Sequence, residues 1–465
     1  MATLTFHGAT RQVTGSCYQL ETAHSRVLIE CGLFQGPPEV DRLNERPFPF
    51  KPRDIHAVVL SHAHLDHSGL LPRLKREGFE GKVYATTQAL ELLDIMLKDA
   101  AHIQEKDAEW ENRQRERAGD QPIAPLYTLQ DAEDVLTLGE PLIYGQKLRI
   151  TQDIEICLRD AGHILGSAIV ELWVDTDGRQ KKIVFSGDLG NAATPLLRDP
   201  EIVRSADVLL LESTYGDRDH RPLPETLKEF AEILAQAERD GGNVLIPAFA
   251  IGRTQELIYH LGEFYHAGKL PQTKVFLDSP MAIAATEVHQ RHMQVFSQEA
   301  RAAIRKNGGN AKEFLPPLHY VRTVEESMSL NRITAGAIII AGSGMCTGGR
   351  IRHHLKWNLW RAAVHVVIVG FQAQGTPGRA LVDGAQRIRM LGEDLVVRAH
   401  IHTLGGFSAH AGQSDLVKWA GHFQPRPQLY LVHGELDKMQ ALQARIKDVH
   451  GWEAQIPVEG QVIQL

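Results

Sequence analysis

The segment SHAHLDHSG (61–69) restricts this chain more than any other. It follows the short apolar run AVVL, so it reads as a loop leaving a buried strand. Imidazoles two residues apart point the same way on extended backbone, which lets His62 and His64 address one point. The Asp66-His67 pair that follows can then face a second point beside it. Histidine nitrogens and carboxylate oxygens suit zinc or a similar divalent ion. A polar surface loop that carries histidines by chance is the competing reading. Four donors within six residues make it a poor one.

One loop cannot close two metal sites, so further donors are expected at the ends of other strands. Three residues have that placement: His163 in DAGHILGSA, Asp188 in FSGDLG and His433 in LVHGE. Any one of them alone reads as an ordinary loop residue. With the first loop they form a set of the right type for two ions about 3.5–4 Å apart, bridged by a carboxylate and a water.

Strand-like runs fill the first 216 residues: 27–36, 57–64, 148–162, 168–174, 182–190 and 206–216. The segment 88–120 is the exception. Leu90, Leu93, Met96 and Leu97 fall at helical spacing, and a highly charged stretch follows, so one or two helices are expected, with the later part solvated. From about Arg218 to Leu395 helical and strand patterns alternate, which implies a parallel sheet in an α/β domain. Short strands resume after Leu395 and end with QLYLVHGE (428–435).

The chain has 465 residues, 43% hydrophobic and 23% charged, enough for two domains with sizeable cores. Its net charge of −7 gives no general attraction for polyanions, so phosphate binding would have to be local. Cys17, Cys31, Cys157 and Cys346 form no CxxC pair, which argues against a thiolate zinc site. With no signal-peptide pattern and no membrane-length apolar run, a soluble cytoplasmic protein is expected.

HxHxDH followed by His, Asp and His at strand ends resembles the metallo-β-lactamase fold. ESTYGDR (212–218), FSAHA (407–411) and LVHGE (431–435) resemble the signature motifs of the β-CASP nucleases. PAFAIGRTQE (247–256), DSPMA (278–282) and GSGMCTGGR (342–350) are similar to the bacterial and archaeal ribonucleases related to the pre-mRNA 3′-end cleavage endonuclease. The resemblance covers nearly the whole chain. It implies a metallo-β-lactamase αββα sandwich formed by residues 1–216 and 396–465, with an inserted parallel α/β β-CASP domain at 217–395. It also implies an active site in the crevice between them.

Residue by residue, the resemblance implies two Zn2+ per chain. His62, His64 and His163 would hold one, Asp66, His67 and His433 the other, and Asp188 would bridge them. Glu212 and His410 match positions at the scissile phosphate, where His410 would protonate the leaving oxygen and Glu212 would orient it. Packing beside the loop, or service as a further ligand, is the alternative for His410. One position departs from the family: Glu30-Cys31-Gly32 stands where Asp-x-Gly is usual. That acidic residue supports the ligands, and such a change alters metal affinity by about 10- to 100-fold.

The implied reaction is hydrolysis of RNA phosphodiesters, internally or from the 5′ end. Arg350, Arg253 and Ser408 are candidate phosphate contacts. The bland readings are a glycine-rich chain turn with its arginine, a surface arginine and a turn cap. A DNA-acting β-CASP nuclease, another hydrolase of the same fold acting on thioesters or lactams, and a metal-free scaffold are the rival functions. The long stretch between Asp188 and His433 disfavours a small-substrate hydrolase, and the full ligand set disfavours a scaffold. A homodimer is compatible with the sequence.

Overall fold

The computed structural model describes residues 2–176, 178–192 and 194–465, which form two compact units. The first comprises the described residues of Met1–Ala193, Asp199–Asp219 and His410–Leu465; the second comprises Thr194–Arg198 and His220–Ala409.

Two seven-stranded sheets build the first unit. One runs in the spatial order Val462–Gln464, Thr3–Phe6, Tyr18–Glu21, Arg26–Ile29, Ala57–Val59, Lys82–Thr86, Gly139–Leu142. The other runs Ala454–Gln455, Gln428–Val432, Val208–Glu212, Arg179–Phe185, Ala168–Thr176, Ile154–Asp160, Lys147–Arg149. Alternate residues of each strand point to opposite faces. Phe6, Tyr18, Ile29 and Val59 of the first sheet therefore share one core with Ile156, Val170, Phe185, Leu210 and Val432 of the second. The other face of the second sheet, through Leu209, Leu211, Leu429 and Leu431, packs on two helices. These are Gln413–Ala420, with Leu416 and Trp419, and Leu436–His450, with Met439, Leu442 and Ile446. Helix Thr87–Ala118 packs against Lys82–Thr86 and Gly139–Leu142 at the first sheet, completing four layers.

The segment expected as one or two helices is a single 32-residue helix. Thr86 caps its start by accepting from Ala89 N, and Gly119, at φ 79°, ends it in the left-handed region. Beyond Ala101 Ala108 alone is buried, so the charged half is solvated, as the sequence predicts.

In the second unit six parallel strands run in the order Leu318–Tyr320, Lys274–Leu277, Ala337–Ala341, Val244–Pro247, His365–Ile368, His400–Thr403. Ile246 and Ile340 face Phe230, Leu257 and Leu261 on one side. Leu245, Ile339, Val366 and Ile368 face Ile351, Leu355 and Leu359 on the other. Helices cover both faces, which explains the near-continuous apolar strands. The sequence places the return to the first domain at residue 396. The structure keeps residues 400–403 as the edge strand of this second sheet, and the chain rejoins the first unit at His410. Strand pairing decides that boundary, and a short segment's composition does not encode it.

Candidate metal centre

All nine residues assigned to metal or catalysis lie in the first unit. The loop after strand Ala57–Val59 explains how four of them divide into pairs. His62 and His64 precede a turn. His64, at φ −55° and ψ 146°, is the N-cap of the four-residue helix Leu65–Ser68, which carries Asp66 and His67. The change from extended to helical backbone rotates the second pair away from the first. Close packing fixes the loop: Cys31 N donates to His67 O and Leu33 N to Leu65 O, at 2.8 and 2.7 Å. Gly32 is required, because a Cβ there would meet Asp66 O at 1.8 Å.

The distant strand ends deliver the remaining donors. His62 Nε2 and His163 Nε2 approach His64 Nδ1 at 3.0 and 3.3 Å, and they lie 3.5 and 3.6 Å from Asp188 Oδ2. At the second point His67 Nε2 is 3.1 Å from His433 Nε2, His433 Nε2 is 3.3 Å from Asp66 Oδ2, and His67 Nε2 is 3.3 Å from Asp188 Oδ1. Each group could hold a metal ion. Three imidazole nitrogens meet at His64 Nδ1, and a proton can sit in at most one of those gaps, so lone pairs converge there. Asp188 Oδ1 is buried and accepts no hydrogen bond among the described residues, which is costly unless a cation faces it. The donor set and this orphaned oxygen both fit metal binding.

Three of these imidazoles present Nε2 to the centre while Nδ1 meets an oxygen. Ser61 Oγ lies 2.9 Å from His62 Nδ1, Glu30 Oε2 lies 3.1 Å from His67 Nδ1, and Thr214 Oγ1 lies 3.0 Å from His433 Nδ1. The Glu30 carboxylate can only accept, which favours the His67 proton on Nδ1, and the two hydroxyls fix the orientation of their rings. The sequence assigns no role to Ser61 and Thr214, although both lie inside the motifs SHAHLDHSG and ESTYGDR; a hydroxyl carries no signal of its own. Glu30, at φ 64° and fully buried, sets one oxygen on Ser61 N and the other on His67 Nδ1, so the longer acid is accommodated.

Glu212 is buried and accepts from Leu189 N at 2.7 Å and Thr214 N at 3.2 Å. His410 is set by an antiparallel bridge to Gly190, with Ala411 N donating to Leu189 O at 2.8 Å. Its Nδ1 lies 3.4 Å from Glu212 Oε1 and 3.9 Å from Asp188 Oδ2. Burial opposes a charge on this ring, but the Glu212 carboxylate, aided by Asp188 and Asp66, carries its pKa up to about 9.

Arg253, Arg350 and Ser408 belong to the second unit. Arg350 donates to buried Asp278 at 2.6 Å, to Val321 O at 3.1 Å and to Arg322 O at 2.9 Å. Arg253 pairs with Glu256 and lies 5.7 Å over the Phe407 ring. Within the 342–350 loop Gly349 is at φ 67°, and a Cβ there would meet Gly342 O at 2.2 Å, so the glycine serves the turn itself.

Three family descriptions match the chain: the metallo-beta-lactamase superfamily over residues 10–143, the Beta-Casp domain over 254–381, and the Zn-dependent metallo-hydrolase RNA specificity domain over 394–457. The chain is 42% identical over 436 residues to Ribonuclease TTHA0252 of Thermus thermophilus, covering 94% of each protein. It is 32% identical over 478 residues to Transcription termination factor FttA of Pyrococcus abyssi, covering 98% of this chain and 70% of that protein. A crystal structure of a protein of unknown function from Enterococcus faecalis V583 has a TM-score of 0.58 at 14% identity, over the full length of both chains.

Proposed function

Since the chain belongs to the β-CASP branch of the metallo-β-lactamase superfamily, we propose that it is a zinc-dependent ribonuclease working with two zinc ions per chain. His62, His64 and His163 hold one ion, and Asp66, His67 and His433 the other. The observation that carries this reading is the placement of Asp188, whose Oδ2 faces one ligand group while Oδ1 faces the other. The similarity to a protein named a ribonuclease, and the match to an RNA specificity domain, support RNA as the substrate.

When bound, two zinc ions lower the pKa of water toward about 7 and neutralise phosphate charge. The protein's own residues supply the rest. The ribose alkoxide is a poor leaving group and needs a proton. The Glu212 carboxylate beside Nδ1 favours the charged His410 ring with Nδ1–H toward Glu212, so the proton for the departing oxygen would come from Nε2. Glu212 is fixed by two backbone N–H groups and holds that ring in orientation. Cleavage is internal, from the 5′ end, or both, and product lengths distinguish the modes.

The test compares labelled RNA, single-stranded DNA of the same sequence, a chromogenic lactam and a thioester under one zinc concentration. Zinc-dependent cleavage of RNA well above the others is expected. Faster turnover of DNA, lactam or thioester would replace this reading with the corresponding one.

A further inference from the structure

Among the described residues, one group of metal-type donors lies apart from that centre: Asp240, His365 and His400, all in the second unit. His365 opens the strand His365–Ile368, and its register partner His400 opens the edge strand His400–Thr403. Their rings lie 4.7 Å apart, 27° from parallel. Asp240 is the C-cap of helix Leu223–Arg239, and its Oδ2 is 3.1 Å from His365 Nε2. The donor atoms of the three side chains lie within 4.8 Å of one another.

A self-satisfied hydrogen-bonded chain would account for Asp240, His365 and His402, because His365 Nδ1 is 2.9 Å from His402 Nε2. That chain has no use for His400, which is exposed yet converges on the same point. With a cation present, His365 would carry its proton on Nδ1, donate to His402, and offer the Nε2 lone pair beside Asp240. This is the arrangement that supports metal-bound histidines. The carbonyl end of a 17-residue helix adds partial negative charge at Asp240. The group sits at the amino-terminal edge of a parallel sheet, whereas ligands of such sheets bind at the carboxyl edge. It therefore lies at the opposite edge of the sheet from the one where ligands of this architecture bind.

We propose that Asp240, His365 and His400 bind a further divalent ion of the nitrogen-preferring class, zinc being the probe, with water completing the coordination. The ion joins a helix end to two strands, one of them the sheet edge, so it stabilises the fold and takes no part in hydrolysis.

Zinc per chain is measured at one buffered free-zinc level for the full-length protein, Asp240→Asn and His400→Gln. Each variant is expected to hold one zinc fewer than the native chain, to gain less melting temperature on zinc addition, and to cleave RNA at the native rate. Equal zinc contents, or a loss in only one variant, would overturn the site. Anomalous diffraction at the zinc edge from native crystals gives a reading independent of variant folding. Density between the three side chains supports the site, and none at the same free zinc rejects it.

Discussion

Glu30 Oε2 lies 3.1 Å from His67 Nδ1 while its other oxygen accepts from Ser61 N at 2.6 Å. One buried carboxylate thus links the ends of the loop that carries the first metal motif. A carboxylate only accepts here, so it favours the His67 proton on Nδ1 and leaves the Nε2 lone pair free to hold the proposed metal. Glu30→Gln offers an N–H to Nδ1 and drives the proton onto the ligating nitrogen. Zinc affinity is expected to fall by about 10- to 100-fold, read by chelator competition, with the fold retained by circular dichroism.

His410→Ala separates acid from ligand. Its closest carboxylate is Glu212, and the seven donors already divide into two groups without it. Zinc content should stay native while RNA turnover falls by about 10²- to 10⁴-fold. A fall in bound zinc would make His410 a ligand.

Gly32→Ala tests the packing beneath the loop. The added Cβ would meet the Asp66 carbonyl at 1.8 Å, and backbone there cannot swing aside as a side-chain end does. Overpacking of this kind costs about 1–3 kcal/mol, so the melting temperature should drop. The displacement moves Asp66, so zinc affinity should drop with it, a coupling that chelator titration alongside calorimetry would show.

Arg350→Ala distinguishes a brace from a phosphate contact. Buried Asp278 receives Arg350, His354 and Ser327, each at 2.6 Å. Losing the guanidinium strips one partner from a buried charge, worth up to roughly 3–5 kcal/mol. Denaturant unfolding should register that loss before any change in KM for RNA. Burial opposes the Asp278 charge, but the hydrogen bonds from His354, Ser327 and Arg350 hold its pKa below the ordinary 3.8. A depressed folded pKa means this stabilisation is complete above 3.8 and lost as the pH falls through the lower folded value. The stability gap between native protein and Asp278→Ala should accordingly stay constant near neutrality and narrow only in strong acid.

Much of the candidate site was legible because its chemistry is local. His62, His64, Asp66 and His67 fall within six residues, and His163, Asp188 and His433 each follow an apolar strand run. The helix over 87–118 was legible in its apolar first half; its charged second half is tied to the chain that follows, with Asn112 bonding Ile123, Arg115 donating to Gln121 O and Glu105 accepting from Leu129 N, contacts that periodicity does not encode. Ser61 and Thr214 were not legible, since a hydroxyl beside an imidazole is a matter of side-chain position.

The sequence by itself determined which donors exist, that they sit at strand ends, and that an α/β block interrupts the fold carrying them. Periodicity and motif spacing are properties of neighbouring residues, and a linear reading captures them. Only the tertiary structure decided that Asp188 turns one oxygen to each ligand group, that strand 400–403 completes the second sheet, and that His365 and His400 meet Asp240. Those relationships depend on strand register between segments far apart in the chain, where a shift of one residue would turn every side chain to the opposite face.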